Sequence, residues 1–272
     1  LTRNFQQVKR IVVKIGTSSL ILDNGKINLK SIDQLAFALS TLAAQNYGII
    51  LVSSGAIGTG MHHLGISERP QTVAKQQAIS AIGQAELIKI YSQRFYHYNQ
   101  QTAQVLMTRD VVDFPSSRQN VINTFDELLK LHVIPIVNEN DSVAVDELDH
   151  LTKFGDNDQL SAIVADITDA DLLIMLSDIE GFYSDDPNIN LQAELYSHIT
   201  NITPSLIKSA SGTKGKLGTG GMSSKLKAAQ RILANNQKMV LAKGTNPAII
   251  LDILEEKNIG TLFANQSTRG ES

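Results

Sequence analysis

Six short β-branched and aliphatic runs alternate along this chain with longer segments of helical period, and that alternation admits few folds. The runs are Ile11–Ile15, Ile49–Val52, Gln104–Met107, Val133–Val137, Leu172–Leu176 and Met239–Ala242. Their near-continuous hydrophobicity predicts strands covered on both faces, as in a parallel sheet with helices on each side. Between the first two runs, Ile32, Leu35, Ala36, Leu39, Leu42 and Ala43 fall on one helical stripe. Ser31 and Gln34 have capping-box spacing at its start, and Gly48 can stop it. Further stripes are Val121, Phe125, Leu128 and Leu129; Leu160, Ile163, Val164 and Ile167; and Leu226, Ala229, Ile232 and Leu233. With no internal repeat and no long linker, the expected fold is α/β: an open, mostly parallel sheet sandwiched by helices in a single domain.

Bulk chemistry narrows the function. The 272 residues are 42% hydrophobic and 19% charged, enough apolar content for a sizeable core. A net charge of −3 argues against a dedicated nucleic-acid or anionic-membrane binder, so any anion site must concentrate Lys and backbone N–H groups locally. No apolar run approaches the roughly 18 residues of a membrane span. The stretch from Leu1 to Arg10 lacks the apolar core of a signal peptide. Zero Cys excludes disulfides, thiolate metal sites and a Cys nucleophile. The expected location is cytoplasmic.

Polar residues gather just after four of the runs: Gly16-Thr17-Ser18, Ser53-Ser54-Gly55, Asn138-Glu139-Asn140-Asp141 and Ser177-Asp178. In an open α/β sheet the ligand crevice lies outside the carboxyl ends of the strands, so these clusters are expected to share it. Lys14 interrupts the first apolar run. A lysine there either reaches water from a sheet edge or faces a polar site, and the small-residue turn that follows favours the site. The segment Lys208–Lys227 holds five Lys, five Gly and no acidic residue, and it runs into a helix. Such a loop can cradle a polyphosphate. It is neither a Walker A loop nor a dinucleotide fingerprint. Opposing it, Glu139–Asp158 carries seven acidic residues against Lys153 alone among Lys and Arg; these could bind metal, orient the lysines or hold a substrate cation. His62-His63 have no metal-ligand spacing, and no Gly-x-Ser-x-Gly elbow occurs.

Taken together, Val13–Ser18, Val52–Ile57, Pro135–Asp141, Phe154–Asp158 and Gly218–Lys225 resemble the glutamate 5-kinases of the amino-acid kinase superfamily, collinearly and over essentially the whole chain. Asn138–Asp141 and Gly218–Ser223 are the specific blocks. Ser177-Asp178 departs mildly, standing where Thr-Asp is often found. Many members add a C-terminal PUA domain, which this chain is expected to lack. The resemblance implies one kinase domain over 1–272, with an amino-acid-binding lobe over about 1–170 and a nucleotide-binding lobe over about 171–272. It implies that Lys14 and Lys225 flank the transferred phosphoryl group, with Asp158 organising them. Lys14, Ser177, Asp178, Thr219, Gly220, Gly221, Met222, Ser223, Ser224 and Lys225 would hold the nucleotide. Ser54, Gly55, Asp141 and Asn157 would hold L-glutamate. ATP would arrive with Mg²⁺ held by phosphates and water, with no protein metal ligand assigned.

Asp141 also bears on substrate choice, because an acidic residue suits a dicarboxylate only if the substrate carries a cation, as free glutamate does at its α-ammonium. Proline is the expected inhibitor, a homo-oligomer (dimer or tetramer) the expected assembly, and glutamyl phosphate reductase the expected recipient of the product. Two rivals are a kinase for another acceptor, which the Asn138–Asp141 block opposes, and a non-catalytic amino-acid sensor, which retention of Lys14 and Lys225 opposes.

Overall fold

The computed structural model describes residues 3–143, 156–187, 189–204, 206–207 and 221–265. Within them, the strands β1 (Arg10–Ile15), β2 (Gly48–Ser53), β3 (Thr102–Met107), β4 (Ile134–Glu139), β5 (Leu172–Ser177), β6 (His198–Ile199), β7 (Lys238–Lys243) and β8 (Thr261–Phe263) form one sheet in the order β3-β4-β2-β1-β5-β7-β8-β6. Every pairing is parallel except that of β7 with β8. The six apolar runs all became strands, extended by zero to two residues at either end or shifted slightly. β6 and β8 carry too few residues to stand out as runs.

Helices cover both faces. Strand residues alternate sides, so Ile11, Val13 and Ile15 of β1 join one core with α2 (Leu29–Ala44) and α4 (Val73–Tyr96), following the short α1 (Thr17–Leu20) and α3 (Ala56–Leu64). Val12 joins the other core, with α7 (Asn157–Ile167) and α8 (Met222–Ala234); α5 (Asp110–Asp113) and α6 (Pro115–Lys130) lie between β3 and β4, and α9 (Ile249–Leu254) before β8. Lys14 shares the parity of Val12. It therefore faces α7 and α8, and this one alternation sets up the site.

Three local expectations need correction. Ser31 is not the cap of α2: Asn28 is, its side chain accepting from Ser31 N at 3.2 Å, so the helix starts a turn earlier. Gly48 does not stop that helix either, since Asn46 takes the left-handed conformation (φ 65°) and Gly48 opens β2. The run Gln104–Met107 is not covered on both faces. β3 is the sheet edge, and Gln104 and Leu106 are exposed.

From β1 the sheet grows through β2 to β4 and β3 on one side, and through β5 to β7, β8 and β6 on the other. The carboxyl ends of β1 and β5 thus lie at a topological switch point, where such sheets bind ligands. No helix among the described residues is long and apolar enough to cross a membrane.

Candidate active site

Three charges converge at that switch point. Asp158, in the first turn of α7, is 1% exposed, and Lys14 and Lys225 are each 7% exposed. Lys14 Nζ lies 2.6 Å from Asp158 Oδ1, and Lys225 Nζ lies 3.1 Å from Oδ2. Burial alone would push the Asp158 carboxyl up; the two ammonium groups outweigh it and hold the carboxyl below its ordinary value. Two ammonium groups are thus brought to one buried carboxylate. Lys14 is no edge-strand lysine: β1 lies between β2 and β5. Gly16, just after β1, caps α1 beside this corner; a Cβ there would sit 3.5 Å from Lys14 Nζ, an ordinary contact.

A second, uncharged network borders the first. Asn157 Nδ2 donates to Ser54 Oγ (2.8 Å), to Ser53 O (3.1 Å) and to Asn138 Oδ1 (3.1 Å). Asn138 Nδ2 in turn donates to Gln84 Oε1 at 2.8 Å, fixing which end of each amide points where. The Ser54 turn is pinned to β1 by Ser54 N donating to Ile15 O, and Gly55 at φ 98° turns the chain into α3. That conformation suits glycine because no Cβ opposes it. Asp156, in the same acidic segment, caps α7, accepting from Gln159 N at 3.0 Å. Gln159 Nε2 donates to Ser224 O at 2.8 Å, tying the starts of α7 and α8 together.

The amino acid kinase family matches residues 9–243 of this chain. A glutamate 5-kinase of Enterococcus faecalis is 63% identical over 97% of this chain and 97% of its own. One from Streptococcus uberis is 57% identical over 98% of each. The chain belongs to the glutamate 5-kinase branch of the amino acid kinase family. Solved structures show the same fold at far lower identity. The UMP kinase of Ureaplasma parvum superposes with a TM-score of 0.64 at 17% identity, covering 96% of this chain and 100% of that one. The isopentenyl phosphate kinase of T. acidophilum gives 0.63 at 16%, covering 94% and 100%.

In this amino acid kinase the residues singled out from sequence fall into place unevenly. Lys14, Asp158 and Lys225 meet directly, and Ser54 meets Asn157. Ser177 ends β5, beside β1, and its hydroxyl donates to Asp178 Oδ1 at 2.9 Å. Gly221 caps α8; Met222, Ser223 and Ser224 form its first turn, and Lys225 follows. Thr219 and Gly220 lie outside the described residues, as do most of the Lys208–Lys227 loop and of the segment between Ser142 and Gly155. Asp141 accepts a 2.5 Å hydrogen bond from Ser80 Oγ, a partner that sequence reading missed. It also missed Gln84 and Tyr91, whose hydroxyl lies 2.8 Å from Ser53 Oγ. Ser80, Gln84 and Tyr91 occupy one face of α4, and their helical spacing was the available signal.

Proposed function

We propose that this chain transfers the γ-phosphoryl group of ATP to the γ-carboxylate of L-glutamate, giving L-glutamyl 5-phosphate and ADP, the first step of proline biosynthesis from glutamate. The observation that carries this reading is the pair of buried ammonium groups on one buried carboxylate, beside the Asn157–Ser54 network. A carboxylate is already a nucleophile at neutral pH, so no general base is required. One glutamate γ-oxygen attacks the γ-phosphorus while the bond to the β,γ-bridging oxygen breaks and ADP leaves. The difficulty is repulsion between two anions. Lys14 and Lys225 offset it best as charge spreads over the phosphoryl oxygens, and Asp158 keeps both ammonium groups aimed at one place.

We assign the lobe boundary to the turn between α7 and β5, at about residues 170–171. Residues of about 1–170 offer the amino-acid side: Ser54, Gly55, Asn157, and Asp141 for the α-ammonium. Residues of about 171–272 offer the nucleotide side: Ser177, Asp178 and the start of α8, with Thr219 and Gly220 in the loop before it. Anionic phosphates suit a helix start, where backbone N–H groups are unsatisfied. Both Asp158 oxygens already face ammonium groups. Mg²⁺ would travel with the nucleotide phosphates and water, shielding their charge.

Proline shares the α-carboxylate and an ammonium with glutamate and lacks the reacting carboxylate, so it suits the same end of the site as an inhibitor. A homo-oligomer, dimer or tetramer, and hand-over of the reactive acyl phosphate to a glutamyl phosphate reductase complete the reading. The deciding experiment is a glutamate- and Mg-ATP-dependent assay in which hydroxylamine traps the acyl phosphate as a hydroxamate. ADP release without hydroxamate, or release independent of glutamate, would overturn the proposal.

A further inference from the structure

We infer that Ser80 is a positioning residue for substrate recognition, holding Asp141 in the orientation that receives the substrate ammonium. The inference rests on the reading of Asp141 given above and adds a residue to it. Ser80 is 2% exposed, and its hydroxyl donates to Asp141 Oδ2 at 2.5 Å. Asp141 follows β4 at a partly exposed position, in a turn that by itself would let its side chain swing. With Oδ2 engaged, Oδ1 has no donor among the described residues. The carboxylate thus presents one anchored and one available oxygen. A charge-assisted bond from a hydroxyl costs the carboxylate no charge, so its attraction for a cation survives.

Ser80 can do this only if α4 is held firmly, and the packing beside it shows how. Ser80 lies between two contacts of α4 with α3 that admit no side chain. A Cβ on Gly60 would sit 2.1 Å from Ile79 O, and one on Gly83 would sit 1.8 Å from Ala56 O. These backbone contacts set the height and rotation of α4 against α3, which itself grows from the Ser54-Gly55 turn. One turn along α4, Gln84 meets Asn138. The same helix face therefore supports Asp141 at one level and the Asn138–Asn157 amides at the next. Both supports are fixed relative to Ser54.

The test is a double-mutant cycle with Ser80→Ala, Asp141→Asn and the pair, measuring kcat and KM for glutamate and for ATP. Ser80→Ala should raise KM for glutamate about 5- to 20-fold, less than a whole charge-assisted bond, because Asp141 remains in place with one anchor fewer. KM for ATP should stay within about two-fold, and kcat should change less than KM for glutamate. In the Asp141→Asn background the effect of Ser80→Ala should largely vanish, since residues acting through one another are not additive. Ser80→Thr, which keeps the hydroxyl, should recover part of the loss. An additive cycle, or KM values for both substrates rising together, would reduce Ser80 to packing and overturn the inference. If Asp141→Asn raises KM for glutamate while Ser80→Ala does not, the Ser80 inference fails and the Asp141 reading stands. If Asp141→Asn leaves KM for glutamate unchanged, the Asp141 reading fails first and the inference falls with it.

Discussion

Lys14 Nζ lies 2.6 Å from Asp158 Oδ1, although Lys14 is in the first strand and Asp158 begins a helix that arrives only after β4. Lys225, on a helix that arrives after β6, takes the other oxygen of the same carboxylate. Buried charges are costly unless paired, and here two cations share one anion. Two ammonium groups brought to one carboxylate add little to a fold and suit an incoming anion.

Removing either lysine should therefore damage turnover more than folding. Lys14→Ala and Lys225→Ala should each lower kcat on the order of 10²- to 10³-fold, the scale of one lost transition-state charge donor. Circular dichroism should report an intact fold in both. A correctly folded Lys225→Ala variant with near-normal kcat would take that residue out of the mechanism.

Asp158 links the site to acid stability. Its carboxyl is held below its ordinary value of 3.8 in the folded state, so its contribution is fully present above that value. That contribution declines as pH falls below 3.8 and is gone once pH passes the lower folded-state value. Asp158→Asn removes the carboxylate charge that Lys14 and Lys225 share and should cost about 3–5 kcal/mol at neutral pH. Urea midpoints of parent and variant, followed down to about pH 2, should converge only in the acid range. A gap that closed near neutrality would contradict this account.

Asp141→Ala should raise KM for glutamate about 10- to 150-fold and leave KM for ATP nearly unchanged, as expected for a lost charge-assisted contact. A rise in KM for ATP instead would move Asp141 to the nucleotide or metal side.

Gly83→Ala tests the seam between α3 and α4. Its new methyl would meet Ala56 O at 1.8 Å, backbone that cannot step aside cheaply. The expected loss is about 1–3 kcal/mol, accompanied by weaker glutamate binding as Ser80 and Gln84 shift. Gly48→Ala, whose new methyl would have no neighbour closer than 3.7 Å, is the control and should cost under about 1 kcal/mol. Thermal melts and glutamate KM values report both effects.

Proline should inhibit in competition with glutamate. Raising glutamate should relieve the inhibition and raising ATP should not, and Asp141→Ala should weaken proline as well as glutamate. Inhibition that persists at saturating glutamate would mean a separate proline site.

The sequence by itself determined the class of fold, because β-branched runs at that spacing can bury both faces only in a parallel sheet under helices. It also placed Ser54, Asn138, Asp141 and Ser177 at or just beyond strand ends, because the positions of turns are local information. Partnership is not local. Which face Lys14 points to follows from strand parity, but that α7 and α8 cover that face follows only from the crossovers. β3 looked like an interior strand because its run is apolar; pairing order made it an edge. Ser80, Gln84 and Tyr91 read as ordinary helix residues, since periodicity says which residues share a face and nothing about what that face meets. Tertiary packing decided that: α4 docks closely on α3 at Gly60 and Gly83, and the same helix brings Ser80 to Asp141 beyond β4.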